Sequence, residues 1–226
     1  EEYKIRKVKV PKKILIVGGG PAGVEAARVS ALRGHNVVLY EKSDRLGGQL
    51  NLAVVPPHKE EMKNVMEYLG NQIRKLKVKV VLGEEVIPKL VEKINPDVVF
   101  IATGSISTIP EISGVRGKNV VMANDVLGGK ASVKERVVII GGGMVGAETA
   151  EFLAEKGKKV TILEMLGRIG IDMVPEVIML LYQRLKKLGV AMITNAKVEK
   201  ITETGVVYEK DGQKQIVEAD TVVLAV

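Results

Sequence analysis

The sequence contains no cysteine and no tryptophan, and aromatic residues make up only 3% of its 226 positions. Without cysteine there is no disulfide framework, no thiolate-held zinc or iron–sulfur centre and no redox dithiol within these residues. The shortage of aromatic rings also removes the stacking platforms that single-stranded nucleic acids use. The net charge of +7 is therefore read as a solvated surface of interleaved lysines and glutamates, with no nucleic-acid partner and no metal site expected. Long hydrophobic runs are missing too: no apolar stretch reaches the roughly 18 residues of a membrane span. No signal peptide is recognised, so a cytoplasmic setting without membrane contact is expected. What is abundant is 46% hydrophobic and 27% charged residues, the composition of a folded chain with room for one large or two medium domains.

A repeat organises the chain. The segment KKILIVGGGPAGVEAARVSALRGHNVVLYEK from Lys12 aligns without a gap on ERVVIIGGGMVGAETAEFLAEKGKKVTILEM from Glu135. Gly18, Gly20, Gly23, Ala27 and Glu41 match Gly141, Gly143, Gly146, Ala150 and Glu164, each pair 123 positions apart. The same offset carries Asp97 and Ala102 onto Asp220 and Ala225. Two copies of one plan are expected: a linker over 1–12, a first domain over 13–106, a connection over 107–135 and a second domain over 136–226. Short β-branched runs, Ile14 to Val17 and Val137 to Ile140, predict parallel strands buried on both faces. Met62, Val65, Met66, Leu69, Ile73 and Leu76 recur at helical spacing, as do Val177, Ile178, Leu181, Leu185 and Leu188 after Pro175. The methionines on these helices are read as core filler. Asp211-Gly212 predicts a hairpin turn.

A lone GxGxxG is weak evidence, but each copy supplies its whole context of strand, turn, helix, second strand and terminal acid. The first glycine permits a tight turn, the second lets a pyrophosphate approach the backbone, and the third lets helix and strand pack closely. The helix N-terminus then offers N–H groups and partial positive charge to phosphates. Glu41 and Glu164 lie 23 residues beyond the first glycine, where a carboxylate accepts hydrogen bonds from ribose hydroxyls. A carboxylate at Glu164 repels a 2′-phosphate, which favours NAD(H) over NADP(H). Copy one adds Arg45, the Gly47-Gly48-Gln49 turn and Ala102-Thr103-Gly104, which suit either an extended cofactor or an ordinary surface turn.

VGGGPAG, YEKSDRLGGQLNLA, IATGS and VVIIGGGMVGAETA together resemble the two-domain flavoproteins of the glutathione-reductase fold. Within that group the chain is most similar to the C-terminal half of the 2,4-dienoyl-CoA reductase and trimethylamine dehydrogenase family, the old-yellow-enzyme-like NADH:flavin oxidoreductases. The resemblance spans nearly the whole chain and implies an α/β fold of two Rossmann-like, three-layer ββα dinucleotide-binding domains. It implies FAD held by Gly18, Gly20, Pro21, Ala22, Gly23, Glu41, Lys42, Arg45, Gly48, Gln49, Ala102, Thr103 and Gly104. It implies a nicotinamide nucleotide held by Gly141, Gly143, Met144, Val145, Gly146 and Glu164. Where disulfide reductases of this fold carry a cysteine pair the chain has Gln49-Leu50-Asn51-Leu52, so thiol chemistry is not expected.

The resemblance implies hydride passage from NAD(P)H to FAD on behalf of a larger dienoyl-CoA- or enoate-reductase-like enzyme. No side chain is assigned an acid, base or nucleophile role. It also implies an upstream flavin barrel and iron–sulfur region as partners, and a downstream GD-containing segment that completes the FAD site. The sequence therefore reads as a piece of that larger enzyme. The alternative is a non-catalytic module that holds ADP as a fixed structural ligand, as in the amine dehydrogenases.

Overall fold

The computed structural model describes residues 4–226. They form two compact units, one running to Val54 and from His58 to Ser105, the other made of Val55–Pro57 and Ile106–Val226. In the first unit the elements are β1 (Lys13–Val17), α1 (Pro21–Leu32), β2 (Asn36–Glu41), α2 (Leu50–Ala53), α3 (Lys63–Lys75), β3 (Lys79–Leu82), α4 (Pro88–Ile94) and β4 (Val98–Ile101). The strands make one parallel sheet in the order β3-β2-β1-β4. Central β1 buries both faces, with Leu15 and Ile16 at 0% exposure, which is why its apolar residues run unbroken. Pro21 sits at the start of α1, where its fixed φ suits a helix and its missing N–H costs nothing. Val24 and Ala27 of α1 and Leu69 and Ile73 of α3 pack on Ile14, Ile16, Val37 and Leu39.

The second unit holds β5 (Val120–Met122), α5 (Ala123–Leu127), β6 (Arg136–Ile140), α6 (Met144–Glu155), β7 (Lys159–Leu163), α7 (Pro175–Lys187), β8 (Ala191–Ile193), β9 (Lys197–Ile201), β10 (Gly205–Lys210), β11 (Gln213–Glu218) and β12 (Thr221–Leu224). Its parallel sheet runs β5-β12-β6-β7-β8, and β9, β10 and β11 form a separate antiparallel sheet. Residues 107–135, expected as a connection, supply β5 and α5, and β5 pairs with β12. One face of the parallel sheet, with Val137 and Ile139, meets Ala147, Leu153, Leu181 and Leu185 of the helices. The other face, with Val138, Ile140, Val222 and Leu224, meets Ile201, Val206 and Tyr208 of the antiparallel layer. Each such aliphatic side chain contributes roughly 1.5–3 kcal/mol when fully buried. Asp211 and Gly212 both have positive φ, 52° and 74°, and join β10 to β11 as the hairpin motif requires.

The recurring aspartates now have a role. Lys13 N–H donates to Asp97 Oδ2 at 2.7 Å, and Arg136 N–H donates to Asp220 Oδ2 at 3.0 Å. In each unit the last strand is thereby pinned to the first residue of the central one. The Arg136 guanidinium also pairs with Asp220, holding that carboxyl down to about 2.

Between these shared ends the two units differ. The helices α3 and α7 begin 112 positions apart, at Lys63 and Pro175, and β3 and β8 begin 112 apart, at Lys79 and Ala191. The first unit spends the extra residues on α2 and a 3-10 turn at Glu60–Met62; the second recovers them in its antiparallel layer. Among the described residues the first unit has α4 in place of that layer. Val99 and Ile101 are accordingly 38% and 79% exposed, while their counterparts Val222 and Leu224 are 0% and 2%. The amphipathic faces are also narrower than their spacing predicts. Met62, Val65, Val177 and Met179 are 38–58% exposed, so only Met66 of the helix methionines fills core as expected. Packing on one sheet uses about a third of a helix surface, and these residues lie beyond that stripe.

Candidate functional site

In both units the glycine turn joins the C-terminal end of the central strand to the first long helix. Gly18 has φ +109° and Gly141 φ +101°, a left-handed conformation that side chains resist. A Cβ on Gly18 would lie 2.3 Å from the Ala102 carbonyl oxygen, and one on Gly141 2.5 Å from that of Ala225. Those alanines follow the last strands, and each donates its N–H to the end of the central strand, at Val17 or Ile140. The third glycines are tighter still: a Cβ on Gly23 or Gly146 would sit 1.9 Å from the carbonyl oxygen of Gly18 or Gly141. The second glycine differs. A Cβ on Gly20 would find nothing nearer than Gly48 Cα at 3.9 Å, so this side of the turn is open. That opening, beside a helix whose start has no side-chain cap, fits a pyrophosphate.

The acids are latched to the turns. Glu41 Oε2 accepts the Gly19 N–H at 2.6 Å and Oε1 accepts the Ser43 N–H at 2.8 Å. Glu164 repeats this with Gly142 at 2.6 Å and Leu166 at 2.7 Å. Both acids are 7% exposed. Burial pushes the Glu41 carboxyl up, but the Ser43 and Gly19 N–H groups, the Ser43 hydroxyl and nearby Lys42 outweigh it, and the net direction is downward. A carboxylate oxygen holds more than one hydrogen bond, so each acid retains acceptor capacity for a ribose hydroxyl.

The latch draws in residues that the glycine pattern alone does not name. A Cβ on middle glycine Gly19 would meet Leu46 Cδ2 at 2.6 Å, and one on Gly142 would meet Ile169 Cδ1 at 2.5 Å. Gly47 N–H donates to Gly19 O at 2.9 Å, and Gly170 N–H donates to Gly142 O at 2.6 Å. All these pairs keep the 123-residue offset, so extending the repeat alignment past Glu41 would have found them.

The remaining candidates sit around this frame. Gln49 Nε2 donates to Ser105 O and Oγ at 2.8 and 2.9 Å, tying the GGQ turn to the segment after Gly104. Lys42, Arg45, Thr103 and Gly104 are exposed beside the turn. Pro21 and Ala22 form the exposed first turn of α1; Met144 and Val145, 38% and 46% exposed, do so in α6. In the second unit Asp172 occupies a place that no motif anticipates: both its carboxylate oxygens accept the Met144 N–H, at 2.9 and 3.1 Å. A cavity of about 550 Å³, lined by Arg136, Lys158, Lys159, Leu188 and Val217, opens at the opposite end of β6 and β7. It plays no part in the glycine-turn site.

A family model described as pyridine nucleotide-disulphide oxidoreductase matches residues 12–226. The chain belongs to that family. It is 43% identical to an NADH oxidase of Thermoanaerobacter brockii over 228 residues, covering 99% of this chain and 35% of the relative. It is 43% identical to a bilirubin reductase of Mediterraneibacter gnavus, covering 95% of this chain and 34% of that one. Among solved structures a 2-naphthoyl-CoA reductase superposes with a TM-score of 0.95 at 38% identity, covering 99% of this chain and 34% of the other. The chain thus spans about a third of the length of these relatives. The likeness drawn from the motifs, to the dinucleotide-binding half of reductases of this kind, is borne out, as are the Rossmann-like fold and the oxidoreductase class. Flavin and nicotinamide nucleotide are the cofactors the family implies. No helix among the described residues is long and apolar enough to cross a membrane.

Proposed function

We propose that this chain is the dinucleotide-binding part of a flavin-dependent reductase, with FAD on the first unit and NAD(H) on the second. The observation that carries the reading is the duplicated frame: blocked first and third glycines and a buried glutamate latched to the turn in both units, with the second glycine open in the first unit and faced by the Asp172 carboxylate in the second. Gly18, Gly20, Ala22 and Gly23 would take the FAD pyrophosphate with Glu41 on its ribose. Lys42, Arg45, Gly48, Gln49 and Ala102–Gly104 line the way toward the rest of the cofactor. Gly141, Gly143, Met144, Val145, Gly146 and Glu164 would take the nicotinamide nucleotide in the same manner. When bound, the two cofactors supply hydride transfer from nicotinamide to flavin. The chain's own residues bind and orient them, and no side chain of the frame is an acid or base for that step. NADH in preference to NADPH follows from a buried carboxylate at the ribose position.

We further propose that the chain works within a larger enzyme reducing an enoyl-type or CoA-linked substrate, alongside a flavin barrel and an iron–sulfur region. Support comes from relatives about three times its length, which include a 2-naphthoyl-CoA reductase. The deciding experiment is an absorption spectrum of the purified protein with chromatography of its extracted nucleotides, followed by anaerobic addition of NADH. A flavin spectrum that bleaches on addition supports the reading. An extract of ADP without flavin would establish the structural-module alternative instead.

A further inference from the structure

Asp172 lies at the place where the second nucleotide's phosphates would have to go. Its two carboxylate oxygens hold the Met144 N–H, the first of α6, at 2.9 and 3.1 Å. Its Oδ2 and Oδ1 lie 3.3 and 3.5 Å from where a Cβ on Gly143 would stand, over the second glycine of the turn, whose counterpart Gly20 is open. The aspartate is not serving its own helix. The N-cap of α7 is Val174, which has no side-chain cap, and Asp172 reaches back 28 residues to another helix.

The repeat makes the placement informative. At the offset of 123 the partners of Met144 and Asp172 are Pro21 and Gln49. Proline has no N–H to give, and the Gln49 amide turns to Ser105 instead. Gly48, the counterpart of Ile171, lets the first unit's loop close onto Gly20, a Cβ there standing 3.1 Å from Gly20 Cα. Among the described residues, therefore, no carboxylate stands over the start of α1 as Asp172 does over α6.

We propose that Asp172 is an internal stand-in for a phosphate, which an incoming nicotinamide nucleotide must displace from the α6 N-terminus. The contact would be an affinity-determining device of the second site, resting on the reading above that this site takes NAD(H). A carboxylate and a phosphate cannot share one N–H and one helix-end charge, so part of the nucleotide's binding strength is spent expelling Asp172. The first unit, without such a competitor, would retain its dinucleotide, and the second would exchange its own. That division suits a resident cofactor beside a co-substrate that leaves after each turnover.

The test is calorimetric titration of the flavin-loaded protein with NAD+, comparing wild type, Asp172→Asn and Asp172→Ala, with the dissociation rate from stopped flow. Removing a displaced hydrogen bond to a charged group should tighten NAD+ binding about tenfold in Asp172→Ala, with a slower off-rate, and less in Asp172→Asn. Thermal melts accompany the titrations, because a plain helix cap predicts a lower melting temperature with NAD+ affinity unchanged or weakened. That result would overturn the proposal. A crystal structure with NAD+ gives a second reading: Asp172 should leave Met144 N–H to a phosphate oxygen, and an undisturbed contact would refute displacement. If wild type binds NAD+ but Asp172→Ala binds no tighter, this inference alone fails. If no variant binds NAD+ at all, the assignment of the second site fails with it.

Discussion

Gly20 and Gly23 stand three residues apart in one turn, and the structure assigns them opposite consequences on acquiring a methyl group. A Cβ at position 23 would lie 1.9 Å from the Gly18 carbonyl oxygen. Restoring a van der Waals separation of roughly 3.5 Å demands that α1 withdraw by about 1.5 Å from the turn it packs on. Overpacking of this kind costs about 1–3 kcal/mol or more, and the helical preference of alanine over glycine returns up to about 1 kcal/mol. A net loss of about 2 kcal/mol lowers the melting temperature of a unit this size by roughly 10 °C. Gly20 has φ −73° and ψ 178°, extended backbone that alanine adopts freely, and its Cβ would meet only Gly48 Cα at 3.9 Å. Gly20→Ala should therefore melt within about 3 °C of wild type. Its methyl fills the open side of the turn, so FAD or ADP affinity should fall roughly 10- to 100-fold, as phosphate contacts with the helix start are lost. Differential scanning calorimetry and dinucleotide titration of the apo-protein, run on both variants, make the check. Undiminished affinity in Gly20→Ala would show that no pyrophosphate approaches there, and a wild-type melt for Gly23→Ala would refute the packing argument.

Glu41→Gln leaves one of two latch N–H groups facing an amide, so it should destabilise the first unit and weaken FAD or ADP binding, by about 1.5–3 kcal/mol for a bond to a charged acceptor. Because the folded Glu41 pKa is depressed, its contribution is fully present above the unfolded value of roughly 4.3 and is lost as pH falls through the folded value. The stability gap between wild type and Glu41→Gln should thus close in denaturant titrations run from pH 6 down to pH 3. In the second unit, wild type should bind NADH more tightly than NADPH and Glu164→Gln should narrow the difference; tighter NADPH binding in wild type would remove Glu164 from the ribose pocket. Arg184 pairs with Glu151, which is 1% exposed, so Arg184→Met should strand a buried carboxylate and cost roughly 3–5 kcal/mol. Pairing that change with Glu151→Leu should recover most of the loss, and an equally unstable double variant would deny the pairing its role.

Reading the repeat as two copies located both glycine turns, both acids and the terminal strands, because close backbone approach and turn geometry restrict those positions to very few residue types. The same reading could not see that the copies diverge in their middles. Eleven positions lost before α7 are regained in the antiparallel layer, so the offset returns to 123 at Asp220 and conceals the exchange. Exposure of Val65 and Val177 was equally hidden, since helical spacing marks an apolar stripe but not how much of it a neighbour covers. Asp172 escaped notice for a different reason. Its partner is a backbone N–H, and backbone groups leave no trace in side-chain patterns.

The aspartate pins on β4 and β12 bear on the order in which each unit assembles. The Gly19–Glu41 latch closes a loop of 22 residues, and the Lys13–Asp97 pin closes one of 84. Loop-closure entropy makes the longer one about 1 kcal/mol harder to form, so strand, turn, helix and second strand are expected to condense first, with the last strand arriving onto a finished template. Reversal follows the same gradient in the first unit: the exposed edge strand β4 should leave early in partial opening, and amide exchange should report it as less protected than β1 and β2, whereas β12, paired on both sides and buried, should stay protected. Ala102 and Ala225, at the ends of those strands, sit beneath the first glycines. Each excursion of β4 would therefore slacken the turn above it, so the lifetime of a dinucleotide on the first unit is coupled to the slowest-formed piece of that fold.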